Sequence, residues 1–448
     1  MQTMRQDVET ILRSAIQAVL PDEAVRRALS GRVFPGKVYL VAAGKAAYRM
    51  AAAAAEMVPG LAEGVVITKY GHLGPPIGNL RMLEAGHPTP DENSFRAAEE
   101  ALRLAGRAGE GDTVLFLLSG GGSALFESPL IPGAELQDIT GQLLGCGADI
   151  VEINTIRKRL SAVKGGRFAL RCAPARVFSV VLSDIIGDPL DMIASGPAVP
   201  DRSTSADARR VAEKYHLRLS GEARRLLDIE TPKTVDNVTT ILSGSVRELV
   251  AAAGRAAESL GYTPVFLTDR LNCEAREAGR FLASILKSHE DTRRNLAFLA
   301  GGETVVHLTG SGKGGRNQEL ALAAAPEIAG MENAALFSAG SDGTDGPTDA
   351  AGGYADGDTE GKLRELGITV DAVLAANDAY HALLKTGGLL VTGPTGTNVN
   401  DLTVGLLRKT GQSQTWEPFP TSETVEKQVW RKRKNRRWRW RYEETGEV

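Results

Sequence analysis

The chain opens with apolar residues spaced three and four positions apart, a period that predicts a helix within residues 1–30. The residues that carry this period are Val8, Ile11, Leu12, Ile16, Val19 and Leu20. From residue 37 the pattern changes to short, continuous apolar runs separated by stretches with helical period, and in the first half these runs lie at 37–42, 64–68, 113–118 and 176–182. Such runs predict strands buried on both faces, and their alternation with helices predicts an open α/β sheet of parallel strands.

The same rhythm restarts after a polar and charged stretch at about 202–235. Further strands are predicted at 238–242, 263–267, 295–300, 303–308, 335–338 and 389–392, the third and fourth as a hairpin across Gly301 and Gly302. We therefore predict an α/β fold of two domains, with the boundary between residues 235 and 236.

The composition narrows the class of protein. The 448 residues are 42% hydrophobic and 24% charged, a balance typical of a globular enzyme with more than one domain. The three cysteines are far apart and lack CxxC spacing, which argues against a disulfide scaffold or a thiolate zinc site. Charged residues in the first turns argue against a secretory signal, and no apolar run approaches the roughly 18 residues that cross a bilayer. We expect a cytoplasmic protein that does not enter a membrane.

The last 40 residues differ from the rest of the chain. The first 408 residues hold 42 Lys and Arg against 49 Asp and Glu, whereas residues 409–448 hold 10 against 6. All four tryptophans lie in this tail, and residues 431–441 contain eight basic residues. Basic residues interleaved with aromatics can bind nucleic acid or an anionic membrane surface. Because no motif organises the segment, we expect instead a disordered, appended tail with no specific nucleic-acid partner.

Two glycine-containing turns follow predicted strands of the first half. Gly44 and Lys45 come directly after the first strand and open a helix, an arrangement that suits a phosphate. The third strand is followed by Ser119, Gly120, Gly121, Gly122 and Ser123. Because three consecutive glycines leave the backbone bare, we expect a ligand to approach it closely.

Carboxylates follow two other predicted strands. Asp184 and Asp188 come after the strand at 176–182, where they could hold Mg²⁺ or accept a proton from a hydroxyl group. In the second half, Asp342, Asp345 and Asp349 follow the strand at 335–338, where they could be cation ligands or hydrogen-bond acceptors for a polyol. The six histidines show no metal-binding spacing, although His72 and His87 lie in glycine-rich loops where they could contact a substrate.

Residues 310–315 fit the pattern GxGxxG, which raises the possibility of a dinucleotide fold. Lys313 and Arg316 add positive charge to this loop, and that charge fits the phosphates of ATP better than a neutral pyrophosphate cradle.

Seven motifs in this order resemble the glycerate 2-kinases of the MOFRL-containing type, and the match covers about residues 5–405. The motifs are Ala43-Gly44-Lys45-Ala46, residues 84–90, Leu118 to Ala124, Asn154 to Lys158 with Lys164-Gly165-Gly166, Ser183-Asp184 to Ser195-Gly196-Pro197, Gly314 to Glu319, and Asp342 to Gly346. The resemblance implies transfer of the ATP γ-phosphoryl group to the 2-hydroxyl of D-glycerate. It also implies a Rossmann-like N-terminal domain (1–235), a MOFRL-type α/β domain (236–408) and an active site between them.

The resemblance further implies that Lys45, Arg316 and Asp342 are catalytic. The remaining roles are our own predictions from residue type. Asp184 is the other candidate base, and Asp188 and Asp345 are candidate Mg²⁺ ligands. Gly44, Ser119, Gly120, Gly121, Gly122, Ser123, Lys313 and Gly315 are expected to bind nucleotide or phosphate, and Arg157, Lys158 and Asn317 to bind the substrate.

Two other functions stay open at this point. A hydroxypyruvate reductase that uses NAD(P)H would rest on the GxGxxG pattern, and a nucleic-acid-binding protein would rest on the basic tail. The partners expected of the kinase are D-glycerate and ATP with Mg²⁺, and the chain could form a homodimer.

Overall fold

The computed structural model describes residues 3–409, so the prediction of a disordered tail at 409–448 lies, apart from Lys409, outside the described residues. Within 3–409 the chain forms two six-stranded sheets flanked by helices. The predicted α/β fold class is thereby confirmed.

The first sheet is parallel throughout and has the order β3-β2-β1-β4-β5-β6. Its strands are β1 (Val38–Ala43), β2 (Glu63–Lys69), β3 (Leu80–Ala85), β4 (Thr113–Leu118), β5 (Arg176–Val181) and β6 (Val238–Leu242). The order reverses between β1 and β4, both of which are buried at every residue. Loops that leave such a pair at their carboxyl ends diverge and leave a crevice, which is where open α/β sheets bind ligands.

The second sheet is mixed and has the order β11-β10-β9-β12-β8-β7, in which β7 and β8 form a parallel pair and the other pairs are antiparallel. Its strands are β7 (Thr263–Leu271), β8 (Leu296–Gly302), β9 (Ala334–Gly340), β10 (Gly352–Asp356), β11 (Leu389–Leu390) and β12 (Asp401–Leu407). The predicted hairpin across Gly301 and Gly302 is wrong, because β8 pairs with β7 and β12 and the segment 303–308 is not a strand.

The helices follow the predicted alternation with the strands. They are α1 (Met4–Ala18), α2 (Pro21–Leu29), α3 (Ala47–Met57), α4 (Glu92–Ala105), α5 (Gly122–Leu125), α6 (Gly133–Gly145), α7 (Ile150–Arg157), α8 (Arg167–Cys172), α9 (Ser205–Lys214), α10 (Gly221–Leu227), α11 (Val246–Ser259), α12 (Ala275–Ser288), α13 (Arg316–Ala324), α14 (Thr359–Glu365), α15 (Val370–Ala375) and α16 (Ala379–Thr386). The single helix predicted at the N-terminus is two helices, because Pro21 lacks the N–H that would continue α1 and starts α2 instead. Among the described residues, no helix is both long and apolar enough to span a membrane.

The two sheets do not divide where the boundary at 235/236 was predicted. Strand β6 pairs with β5 at the edge of the first sheet, so the strand predicted to open the second domain belongs to the first sheet. Helix α1 precedes the first sheet in the chain but packs against the second sheet. Its Ile11 lies in a buried cluster with Val250 of α11 and Phe337 of β9. The polar stretch before residue 235 therefore marks a surface segment, and the chain crosses between the sheets after α1 and again after β6.

Candidate active site

The turns after β1 and β4 are locked together at the point where the strand order of the first sheet reverses. The N–H of Lys45 donates to the carbonyl oxygen of Gly120 (2.9 Å), and the N–H of Ala46 donates to Ser119 Oγ (3.1 Å). Gly44 has φ +128°, and a Cβ there would overlap Ser119. Glycine at position 44 therefore allows the two turns to meet, and this contact sets the position of Lys45.

The triglycine loop brings three side chains together from different parts of the chain. A Cβ on Gly121 would stand 3.1 Å from both Lys45 Cγ and His87 Cδ2, and one on Gly120 would overlap the carboxylate of Asp184. The side chains of Lys45, His87 and Asp184 thus pack directly against the bare backbone of the loop. Gly122 and Ser123 continue from it into the short helix α5.

A cavity of about 350 Å³ lies beside this loop and is lined from both sheets. The first sheet contributes Lys45, Lys69, His72, Ser119, Gly120 and Asp184, and the second sheet contributes Asp342, Thr344 and the segment 396–398. The structure therefore brings the catalytic candidates Lys45, Asp184 and Asp342 into one cavity.

Ionisation in this part of the protein reflects burial and the two lysines. Burial raises the pKa of Asp184, and the charge of Lys45 offsets part of that rise. The pKa values of His72 and His87 are lowered, first by burial and then by the positive charges of Lys45 and Lys69. The histidines are therefore held neutral next to two cations.

A second cavity, of about 860 Å³, lies on the side of the second sheet. Its lining includes Arg316, Asp345, Gly315 and the other glycines of the GxGxxG loop, together with the apolar side chains of Val305 and Leu308. Asp342 and Thr344 line this cavity as well as the smaller one, so the two cavities adjoin at these residues.

Arg316 is the first residue of α13, and carboxylates hold its guanidinium group in place. Nε and Nη2 donate to the two carboxylate oxygens of Asp401 (2.6 and 3.0 Å), and Nη1 lies 3.1 Å from Glu303 Oε1. Asp401 begins β12, a strand absent from the sequence-based prediction, and no role was predicted for its carboxylate.

Asp345, a predicted Mg²⁺ ligand, lies at the N-terminus of α13. Its carboxylate accepts hydrogen bonds from the backbone N–H groups of Asn317 (3.1 Å) and Gln318 (2.9 Å) and from both of their side-chain amides. Burial nevertheless raises the pKa of Asp345 to about 6. Asn317, a predicted substrate residue, is buried in the same network and accepts a hydrogen bond from Ser338 Oγ (2.6 Å). This pair shapes the start of α13, and metal binding by Asp345 stays a prediction.

Two predicted substrate-binding cations, Arg157 and Lys158, line neither of the two cavities. The ammonium group of Lys158 is buried between Asp201 (3.2 Å) and Asp191 (3.4 Å). Burial lowers the pKa of Arg157, which lies near Glu127. Neither Arg157 nor Lys158 lines the cavity that contains Lys45.

Asp188 and Lys313 are the last two predicted ligand residues. Asp188, a predicted Mg²⁺ ligand, lines neither of the two cavities. Its Oδ1 is buried and has no hydrogen-bond partner within residues 3–409, and burial raises the pKa of Asp188. Lys313 stacks on the ring of Tyr380, with Nζ 4.2 Å from the ring centre. In the described part of the chain, no group of three or more His, Cys, Asp or Glu side chains is arranged to hold a metal ion.

Comparisons with known proteins agree with this architecture. A family model described as a domain of unknown function (DUF4147) matches residues 7–228, and the MOFRL family model matches residues 296–401. The chain is 52% identical to the D-glycerate 2-kinase of Thermotoga maritima, covering 89% of this chain and 97% of that one. It is 42% identical to the glycerate 2-kinase of Pyrococcus horikoshii, covering 89% and 96%.

A solved structure of glycerate kinase from Thermotoga maritima superimposes with a TM-score of 0.86 at 51% identity, covering 90% of this chain and 99% of that chain. Identity at this level over nearly the whole length of the relatives confirms the resemblance that the motifs indicated. The chain belongs to the MOFRL-containing glycerate 2-kinase family.

Proposed function

We propose that this enzyme transfers the γ-phosphoryl group of ATP to the 2-hydroxyl of D-glycerate, giving 2-phospho-D-glycerate and ADP, at the junction of the two cavities. The observation that carries the proposal is that Asp342 and Thr344 line both cavities. Lys45 and Asp184 line the smaller cavity, and Arg316 lines the larger one. A group passed from one cavity to the other would therefore meet the catalytic candidates of both sheets.

The sizes of the cavities support this assignment of ligands. A cavity of about 350 Å³ suits a three-carbon acid, whereas about 860 Å³ suits a nucleoside triphosphate. The larger cavity also offers apolar surface at Val305 and Leu308, against which a base can stack, and backbone at 310–315, against which phosphates can lie.

The side chains at the junction supply what phosphoryl transfer requires. Positioning and electrostatic stabilisation provide most of the rate in this reaction. Lys45 and Arg316 would neutralise charge on the transferring group. The 2-hydroxyl oxygen forms a new bond to the γ-phosphorus while the bond between that phosphorus and the β–γ bridging oxygen breaks, so that ADP leaves, and the hydroxyl proton passes to a carboxylate. Asp184 suits the role of that base, because its raised pKa makes its carboxylate a stronger proton acceptor.

The residues at the junction also fit a Mg²⁺ ion that arrives with the nucleotide. Mg²⁺ in kinases is commonly held by one or two carboxylates together with substrate phosphates, so a dedicated cage of protein ligands is not needed. Asp342, which lines both cavities, offers such a carboxylate, while Asp184 in the smaller cavity serves as the base. Bound there, the ion would neutralise negative charge on the phosphates.

The GxGxxG loop does not occupy the position that a dinucleotide fold requires. The fingerprint belongs directly after the first strand of the parallel sheet, and here that turn is Gly44-Lys45. Residues 310–315 instead follow β8 of the mixed sheet after an irregular segment. This geometry disfavours the hydroxypyruvate reductase.

The proposal is tested by following ADP formation by the purified enzyme with ATP, Mg²⁺ and D-glycerate, and by identifying the product as the 2-phosphate. We expect turnover that requires glycerate and is abolished by excess chelator. Consumption of NADH or NADPH with hydroxypyruvate, without glycerate-dependent ADP formation, would contradict the proposal.

A further inference from the structure

The smaller cavity contains two lysines, of which the sequence-based prediction recognised one. Lys45 and Lys69 both line it. Within residues 3–409, neither ammonium group has a side-chain hydrogen bond or an ion pair, and this contrasts with Arg316, whose nitrogens face Asp401 and Glu303. Among residues 3–409, therefore, no carboxylate holds either ammonium group of this cavity in an ion pair.

The parallel register of β1 and β2 brings the two lysines to the same edge of the sheet. Ala43 of β1 pairs with Ile67 of β2, and Lys45 and Lys69 each come two residues after that pair. The turn is fixed to β2 by hydrogen bonds from the N–H of Gly44 to the carbonyl oxygen of Ile67 (3.1 Å) and from Thr68 Oγ1 to the carbonyl oxygen of Lys45 (3.4 Å). Both lysines are thus attached to a rigid backbone rather than to a free loop.

The surroundings of Lys69 distinguish it from the other basic residues that could bind a small acid. Lys158 is enclosed by Asp191 and Asp201, and Arg157 lies outside the cavity. Lys45 touches the triglycine loop next to Asp184, where the phosphoryl group would be transferred. The histidine nearest in the cavity lining, His72, has a lowered pKa and so provides no competing charge.

We propose that Lys69 binds the carboxylate of glycerate, and that it makes the enzyme select a hydroxy acid over a neutral compound of the same shape. This inference rests on the proposed function, since it assigns glycerate to the smaller cavity. Lys45 then acts on the transferring phosphoryl group while Lys69 holds the carboxylate of the acceptor. The 2-hydroxyl is on the carbon bonded to that carboxylate, so two lysines that line one cavity can serve the transferring group and the carboxylate together.

The test compares D-glycerate with its neutral amide, D-glyceramide, as acceptors for the wild-type enzyme and for Lys69→Met, which keeps the length of the side chain but removes its charge. We expect kcat/KM for glycerate to fall about 10–100-fold, mainly through KM. We expect kcat/KM for glyceramide and KM for ATP to change less than threefold. Lys69→Arg should restore most of the preference for the acid. The matched control is Lys37→Met: Lys37 is exposed just before β1, at the opposite edge of the sheet, and this change should leave both acceptors unaffected.

Equilibrium binding separates the failure of this inference from the failure of the proposed function. Calorimetric titration with glycerate in the absence of ATP does not depend on turnover, and Lys69→Met should bind at least about tenfold more weakly than wild type. Equal losses for acid and amide, or unchanged glycerate binding, would overturn the role of Lys69 even in an active kinase. If Lys69→Met does not fold, as judged by its thermal melt, an unchanged ratio of acid to amide in Lys69→Gln would overturn it equally.

Discussion

The two sides of the cleft are prepared for their ligands in different ways. On the side of the first sheet, Lys45 and Lys69 line the cavity without ion pairs among the described residues, next to bare glycine backbone. On the side of the second sheet, Arg316 is held by Asp401 and Glu303. On the first side, both ammonium groups are therefore available to an anion that binds. On the second side, the protein's own carboxylates hold the guanidinium group in position.

This difference predicts two kinds of mutational effect. Changes on the first side should remove charge or space that a ligand needs. They should therefore lower activity directly, through loss of the group that contacts the ligand. Changes on the second side can act at a distance, because removing a residue that holds Arg316 misplaces a group that is still present.

The largest expected effect is the loss of either cation that faces the transferred group. Lys45→Ala and Arg316→Ala should each lower kcat about 10²–10³-fold with smaller changes in KM, because each acts on charge that develops during transfer. Arg316→Lys should also be impaired, since a point charge cannot reproduce the paired hydrogen bonds of a guanidinium group. Steady-state kinetics of the three variants and the double alanine variant measure this.

Because both residues would serve one step, the double variant should lose much less than the product of the single losses. A near wild-type kcat for one single variant would show that its residue does not act in transfer, and would contradict the role proposed for that side of the cleft.

The next largest effect distinguishes the role of Asp401, which positions the guanidinium group, from the role of Arg316 itself. Asp401→Asn removes the charge that both Nε and Nη2 contact, and we expect kcat to fall about 10–100-fold through misplacement of the guanidinium group. Adding Asp401→Asn to Arg316→Ala should cost little more than Arg316→Ala alone. Asp358→Asn, which changes an exposed carboxylate near β10, provides the matched control and should leave kcat unchanged. Additive losses in the double variant would show that Asp401 acts independently of Arg316.

The sequence predicted the first side of the cleft better than the second, for a physical reason. The turns at Gly44 and at 119–123 directly follow strands whose continuous apolar residues identify them, so local signals also place Lys45. Strand β12 lies in the middle of the second sheet, yet Asp401, Thr403 and Gly405 interrupt its apolar pattern. Its carboxylate reaches Arg316 across 85 residues of chain, a contact that no local pattern indicates.

The surroundings of Lys158 and of Lys69 were not indicated by local sequence for the same reason. Lys158 follows Arg157 in a motif that suggested an anion site, but its partners Asp191 and Asp201 come 33 and 43 residues later, and they enclose it. Lys69 follows the strand predicted at 64–68 and belongs to none of the motifs. The register of β2 on β1 is what brings it beside Lys45.

A smaller effect is expected from filling space on the first side. Gly120→Ala would place a methyl group on the carboxylate of Asp184. The backbone at Gly120 is not in the left-handed region, so the effect would come from this overlap rather than from backbone strain. We expect Asp184 to move and kcat to fall about tenfold, with a modest drop in Tm. Gly141→Ala, inside α6 with open space around it, is the matched control and should raise stability by about 0.5–1 kcal/mol. Normal activity in Gly120→Ala would mean that the position of Asp184 does not matter to the reaction.

The smallest expected effect concerns stability and its dependence on pH. Because burial raises the pKa of Asp184, the folded protein binds this proton more tightly than the unfolded chain does. The stability that results is present at low pH and is lost as the pH rises through the raised pKa, so at pH 7 the wild-type protein contains a destabilising buried carboxylate. Asp184→Asn should therefore raise Tm at pH 7 by about 1–3 °C while lowering kcat, and the difference in Tm should shrink as the pH falls through the raised pKa and the wild-type carboxyl group becomes protonated. Thermal melts of both proteins across this range measure the difference. A Tm for Asp184→Asn that is lower at pH 7 than that of wild type would show that Lys45 stabilises the Asp184 carboxylate more than burial opposes it, and the first side of the cleft would then be balanced in charge before any ligand binds.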